Sequence, residues 1–286
     1  MFNPISEFNS GTVSQYQPKV KEEIEVKVDF VDLLPQELSL KIFSYLKAKE
    51  LARSFRVNMT WKVLASDEAL WNALSPKMAF GKNEWAKYFG DIGKVPPLPK
   101  DIHKILKSPC PFWPEKKVEE THMLVLIPET VNGKPLNLKT LGELVKKPEE
   151  GHATQYRYIL EEIINEHGNQ ATAKSHWVLM TKDVIPGSRN KSYADQQALI
   201  AECAKKARAH YEVPNVLDAA ICIFMHSISS GERLFTDKPW TYARCSEKAQ
   251  GYQIVVGGFS SAGLLVDHFS FFDCVSYGVA ALRKFF

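Results

Sequence analysis

The stretch from Asp32 to Leu74, DLLPQELSLKIFSYLKAKELARSFRVNMTWKVLASDEALWNAL, shows the plainest helical periodicity in the chain. Pro35 is preorganised for the first turn of a helix, and Glu37 favours the same end through the helix dipole. Leu38, Ile42 and Leu46 recur at i, i+4 and i+8 and share a stripe, while Leu40 and Phe43 point toward another face. A helix apolar on two sides needs two surfaces to bury against. A second helix follows Lys47-Ala48-Lys49 with Leu51, Phe55 and Val57, and Trp61 and Leu64 carry the apolar series into a third. Ser66 or Asp67 stands where a cap for the next turn is needed. Leu70, Trp71 and Leu74 close the unit. A module of roughly forty residues cannot enclose two tryptophans and this many aliphatic side chains. Part of its apolar surface is therefore expected to be an interface.

The order and spacing of Leu34-Pro35-x-Glu37-Leu38, Ile42-Phe43-Ser44-Tyr45-Leu46, Leu51, Val57, Trp61, Leu64-Ala65-Ser66-Asp67 and Leu70-Trp71 closely resemble the F-box family. The resemblance implies a three-helix module whose leading Leu-Pro and aliphatic stripe bind a Skp-family adaptor. Through that adaptor the chain would join a cullin scaffold and a RING subunit, a ubiquitin ligase for which it selects a target protein. Carried over by position, Leu34, Pro35, Leu38, Ile42, Leu46, Leu51, Val57, Trp61 and Trp71 are the residues expected to contact the adaptor or to support that contact. Where the family often has a cysteine and a basic residue after the valine, this chain has Asn58 and Met59. The alternative is a three-helix cap on the large C-terminal domain, with the same residues used as internal core.

The chain has 286 residues, 45% of them hydrophobic and 24% charged, which is the make-up of a soluble globular protein with room for two compact units. A formal net charge of +3, evenly spread, argues against a nucleic-acid partner. Five cysteines without a C-x-x-C pair suggest neither a disulfide framework nor a metal site, and no cofactor motif is evident. The N-terminus lacks the apolar core of a secretory signal, and no segment is apolar for long enough to span a bilayer. A cytoplasmic protein, neither Sec-exported nor membrane-embedded, is the expectation. Residues 1–28 are polar and then charged, and read as a flexible tail of the kind a type III secretion machine can also take up.

Val95-Pro96-Pro97-Leu98-Pro99 and Ser108-Pro109-Cys110-Pro111-Phe112-Trp113-Pro114 interrupt regular structure. The expected fold class is α+β: the F-box helices at 29–75, a helical and proline-rich connection at 76–115, and a mixed α/β sheet domain at 116–286 that recruits the target. Within the connection, Asn83 to Phe89 reads as a short helix whose aromatics pack the F-box onto the C-terminal domain, or equally as a plain core helix. Beyond it, Met123 to Ile127 and Trp177 to Met180 read as buried strands. Tyr252 to Val256 is similar and is expected to stop at Gly257-Gly258. Leu138 to Lys147, Gln155 to His167 and Ser192 to Tyr211 carry helical spacing, with Gly168 as a stop. Pro214 to Ser230 is too long an apolar run for a strand and reads as a buried helix beginning at Pro214 and ending at Gly231.

The stretches 108–114, 121–128 and 131–135 resemble those in F-box-containing proteins of amoeba-associated chlamydiae. That resemblance implies a bacterial effector working in the cytosol of a eukaryotic host, and assigns no chemistry to the large domain. Among catalytic groupings only Cys245 with His226, His268 and Asp267 or Asp273 has the residue types of a cysteine hydrolase. Such a domain would be merely delivered by the F-box. The loop Asp183 to Tyr193 has Gly187, Arg189 and Lys191 to offer a phosphate or an acidic partner, a surface turn being the bland alternative. Gly257-Gly258 and Gly263 fit a hairpin better than a nucleotide cradle, because G-x-G-x-x-G spacing is missing. Phe269, Phe271, Phe272, Tyr277, Phe285 and Phe286 are core aromatics or, if exposed, a target-binding patch.

Overall fold

The computed structural model describes residues 29–46, 48–67, 70, 79–268 and 275–286. The expected tail at 1–28, Trp71, and the candidates Phe269, Phe271, Phe272 and Asp273 lie outside the described residues. The chain divides into two compact units, Met1–Ala73 and Leu74–Phe286.

In the first unit α1 (Phe30–Leu33) precedes the helix expected at Pro35. Proline ends it: the residue before a proline is pushed out of the helical region, and Leu34 is extended at φ −102°, ψ 147°. Pro35 then caps α2 (Gln36–Phe43), its carbonyl accepting from the Leu38 and Ser39 amides. After α3 (Ala48–Ser54), Asn58 opens α4 (Met59–Ala65) by accepting from the Trp61 amide at 2.9 Å. Val31, Phe43, Leu51, Leu64, Ala65 and Leu70 form the buried side of these helices. Trp61 packs edge-on or tilted against Phe30 and Phe43, at ring separations of 5.3 and 5.1 Å.

The second unit is α+β. Its first sheet has the order β1-β2-β6-β11, formed by Ala79–Phe80, His122–Ile127, His176–Thr181 and Leu282–Phe285. Its antiparallel centre pairs Leu124 with Leu179, and every residue of β2 and β6 is buried. The second sheet has the order β10-β7-β8-β9-β5: Tyr277–Val279, Tyr242–Ala249, Tyr252–Ser260, Gly263–His268 and Tyr156–Ile159. The short strands β3 (Thr130–Val131) and β4 (Lys134–Pro135) form a separate hairpin.

The shorter helices are α5 (Lys82–Tyr88), α6 (Ile102–Leu106), α7 (Val118–Thr121), α8 (Leu138–Leu144) and α9 (Glu161–His167), followed by the longer α10 (Tyr193–Lys206). The organising element is α11 (Val216–Ser230), which packs on β2 and β6 from one sheet and on β7 and β8 from the other. A helix apolar on all sides must be surrounded, and every residue from Val216 to Met225 is buried. Asn215, not Pro214, caps it by accepting from the Asp218 amide at 2.7 Å. Gly231 ends it in the left-handed region, at φ 76°.

Four expectations change. The segment expected as a connection at 76–115 is built into the second unit: β1 pairs with β2, and Trp85 on α5 is fully buried. Trp85 Nε1 donates to the Leu126 carbonyl at 2.8 Å, and Trp177 Nε1 to that of Pro96 at 3.2 Å. The aromatics of α5 therefore serve the core of the second unit. Gln155 to His167 starts as strand β5 and only becomes helical at Glu161, since Tyr156 and Tyr158 alternate along an edge. β8 does not stop at Gly257-Gly258 but runs to Ser260; a side chain on Gly257 would collide with the Thr241 carbonyl, so glycine lets neighbouring strands approach. Finally, β7, β9, β10 and β11 had no counterpart among the expected strands.

Candidate protein-interaction site

The helices of the first unit leave a set of apolar side chains in water. Leu38 is 53% exposed, Ile42 41% and Val57 56%. Leu38 and Ile42 lie one turn apart on α2 and so share its outer face, while Phe43, on the opposite side, is only 1% exposed. Leu33, Tyr45, Met59 and Val63 are exposed as well, the last two again one turn apart on α4. A solvent-facing leucine is ordinary, but this many large apolar residues within about thirty positions make an apolar surface of the kind found at interaction sites.

Among the other expected contact residues, Pro35 is exposed, and Leu34, Leu46 and Trp61 are half-buried. Leu51 is fully buried, so any part it has in binding is support from beneath, not contact. Trp71 lies outside the described residues.

A polar latch holds the exposed face in place. Asp29 caps α1 through the Val31 amide at 3.1 Å and also accepts from Trp61 Nε1 at 2.6 Å and Asn58 Nδ2 at 3.0 Å. One carboxylate therefore ties the start of α1 to the start of α4. Asn58, a departure from the pattern seen in the F-box resemblance, supplies both the α4 cap and one strand of the latch. Sequence reading missed Asp29, and missed Leu33, Met59 and Val63 as outward-facing residues. The i, i+4 spacing of Met59 and Val63 was the available signal.

Among the described residues of the hydrolase grouping, Cys245, His226 and His268 have other surroundings. Cys245 is fully buried on β7, and burial, with Glu247 and Asp218 nearby, pushes its thiol well above the usual range. A nucleophile needs the thiolate, which that environment disfavours. His226 instead faces Glu232 at 3.5 Å, and His268 stacks on Tyr252. The Asp183 to Tyr193 loop is likewise committed internally: Arg189 donates to the Val275 carbonyl and to Thr241 Oγ1, each at 2.9 Å. Tyr277 is buried, Phe285 half-buried and Phe286 exposed. Among the described residues no group of three or more His, Cys, Asp or Glu side chains could hold a metal ion. No described helix is long and apolar enough to cross a membrane.

Comparison with known proteins finds relatives over short stretches of the chain. An F-box protein of Saccharomyces cerevisiae is 50% identical over 46 residues, which is 16% of this chain and 7% of that protein. The human "F-box/WD repeat-containing protein 8" is 54% identical over 48 residues, 16% of this chain and 8% of its own length. A Talaromyces stipitatus protein named "Probable E3 ubiquitin ligase complex SCF subunit sconB" is 41% identical over 49 residues, 17% of this chain and 7% of that protein. This chain thus aligns with less than a tenth of the length of each of these relatives. No solved structure matches it. The F-box-like family model matches residues 31–77, the segment that holds the exposed apolar face.

Proposed function

We propose that this chain is a substrate receptor of an SCF-type ubiquitin ligase, in which the first unit docks on a Skp-family adaptor and the second holds a target protein. The observation that carries the reading is the outward-facing Leu38-Ile42 pair on α2, within a segment that matches the F-box-like family. A relative 41% identical over 49 residues is named "Probable E3 ubiquitin ligase complex SCF subunit sconB". Closing water off from a half-exposed leucine or isoleucine contributes on the order of 1 kcal/mol each, so several such residues together supply a usable interface. The protein needs no nucleophile of its own. It brings a target close to the charged conjugating enzyme, and proximity raises the rate.

The resemblance of 108–114, 121–128 and 131–135 to proteins of amoeba-associated chlamydiae supports a finer reading, that of a bacterial effector placed in the cytosol of a eukaryotic host. In the competing reading the second unit is a cysteine hydrolase. The buried, protonated Cys245 thiol speaks against it.

The test is capture of a purified Skp-family adaptor by the intact chain and by a Leu34→Ala, Pro35→Ala, Leu38→Ala variant. The variant is expected to retain little adaptor; capture at the wild-type level would remove these residues from the interface. A thiol-reactive ubiquitin probe is expected to label no cysteine, and labelling lost in Cys245→Ala would favour the hydrolase.

A further inference from the structure

A polar cleft of about 380 Å³ opens in the second unit between the residues after α8, the C-terminal end of α11 and the turn from β8 to β9. Its volume falls within the roughly 300–1,000 Å³ of small-ligand sites. The segment 152–155 runs between these elements and fixes the walls by hydrogen bonds. The His152 amide donates to the Ile228 carbonyl at 3.0 Å, and the Thr154 amide to that of Val145 at 2.9 Å. The Gln155 carbonyl accepts from the Leu264 amide at 2.9 Å, and Gln155 Nε2 donates to the Ala262 carbonyl at 3.2 Å. The His152 ring lies against Gly231, where a Cβ would come within 2.9 Å of its Nε2.

The groups left unspent in this cleft are donors. Ser227 is 5% exposed, and its Oγ has no partner among the described residues yet is not sealed from solvent. Ser260, 8% exposed, accepts from the Ala262 amide at 3.1 Å and leaves its O–H proton without an acceptor among the described residues. Arg233 is exposed and has neither an ion pair nor a hydrogen bond among the described residues. Lys146 pairs with Glu143 at 2.9 Å, but both ends of that bridge stand in water, where such a pair contributes little. Among the described residues no Asp or Glu lines the cleft. A helix C-terminus disfavours anions, but the last carbonyls of α11 are already covered. That of His226 accepts from the Ser230 hydroxyl at 2.7 Å, that of Ser227 from the Gly231 amide at 2.8 Å, and that of Ile228 from His152.

We propose that this cleft binds a small phosphate monoester, with Arg233 and Lys146 supplying the charge and Ser227 the buried donor. The oxygens of a phosphate dianion only accept, so they match a wall whose free groups donate. Guanidinium can grip two of them at once, and bonds between charged partners are about twice as strong as neutral ones, enough to draw Lys146 away from Glu143. Only Ala153 among the lining side chains is apolar. The alcohol that carries the phosphate is accordingly polar as well, a sugar or polyol and not an aromatic ring or a lipid tail. The site stands independently of the adaptor reading, because it lies within the second unit.

The test is calorimetric titration of the intact chain, at low salt, with α-glycerol phosphate, glycerol, inorganic phosphate and the acetylated, amidated peptide Gly-Ala-phosphoserine-Ala-Gly. The polyol phosphate should bind saturably, about tenfold more tightly than inorganic phosphate or the peptide, and glycerol should not bind. Arg233→Gln and Ser227→Ala should each weaken binding about tenfold. Neither should shift the melting temperature or adaptor capture, because neither side chain is bonded to another described residue. No saturable binding of the polyol phosphate, equal binding of glycerol, or wild-type affinity in a folded Arg233→Gln, Ser227→Ala double variant would overturn the site. Equal binding of inorganic phosphate would overturn the ester and leave a bare anion site, and tighter binding of the peptide would overturn it in favour of a phosphorylated protein.

Discussion

On α2 of the first unit, Leu38 and Ile42 sit a turn apart with about half of each side chain in water; on α11 of the second, ten successive residues from Val216 to Met225 are closed off from it. Both helices carry apolar residues on more than one side. They differ in what surrounds them. α11 has a sheet on either side, whereas among the described residues α2 packs on the short helices α1 and α4, with Phe43 against Trp61. The same hydrophobic pattern thus gives internal core where the chain provides two layers, and an exposed apolar face where it provides one. Substituting apolar residues in the two helices should consequently have opposite effects on stability and binding.

The largest stability effect is expected from Phe224→Ala on α11, which removes a fully buried ring and should destabilise the second unit by about 3–5 kcal/mol. Chemical denaturation measures it, and a loss below about 1 kcal/mol would mean that α11 is not the enclosed centre of the unit.

Acid should act next, through His122 on β2. Burial, with Lys182 adding to it and a backbone hydrogen bond opposing it, lowers its pKa from 6.5 to about 3. The unfolded chain therefore takes up a proton near pH 6.5 that the folded chain refuses. Stability falls as pH drops from 6.5 toward 3, by up to about 3 kcal/mol at pH 4. His122→Phe should flatten this part of the pH profile, and a variant as acid-sensitive as the wild type would assign the effect elsewhere.

Smaller again is the latch of the first unit. Asp29→Ala removes a cap and the partner of Trp61 Nε1, and should weaken that unit by about 1–2 kcal/mol. Faster amide exchange across α4 is the readout, and unchanged exchange would show the latch to be idle. The smallest stability effect is expected from Leu38→Ala with Ile42→Ala, within about 0.5 kcal/mol, because neither side chain is enclosed. A large destabilisation would make the pair core and erase the contrast between the units.

Legibility in the sequence followed the same division. β2, β6 and α11 were readable because continuous apolar runs identify elements buried on both faces. β7 was missed because its second half, Ser246-Glu247-Lys248, faces solvent or polar partners, and β9 and β10 because glycine and short length obscure alternation. The place of residues 79–115 was missed because prolines interrupt local structure without deciding to which unit a segment packs; Trp85 and Trp177, joined to distant carbonyls, decide that only in three dimensions. In the first unit, the helix spacing separated Phe43 from Leu38 and Ile42, while Leu51 among the contact residues proved to be core. No local signal could have paired Lys146 with Arg233, whose shared cleft depends on the position of α11.

Calorimetric titration of a purified Skp-family adaptor into the intact chain and into a Leu38→Asp variant addresses the first unit most directly. A saturable wild-type interaction that is weakened about a hundredfold in the variant, with no change in melting temperature, is the expected result. Equal affinity for the two proteins, or no interaction with the wild type, would contradict the reading of the exposed α2 face as an adaptor site.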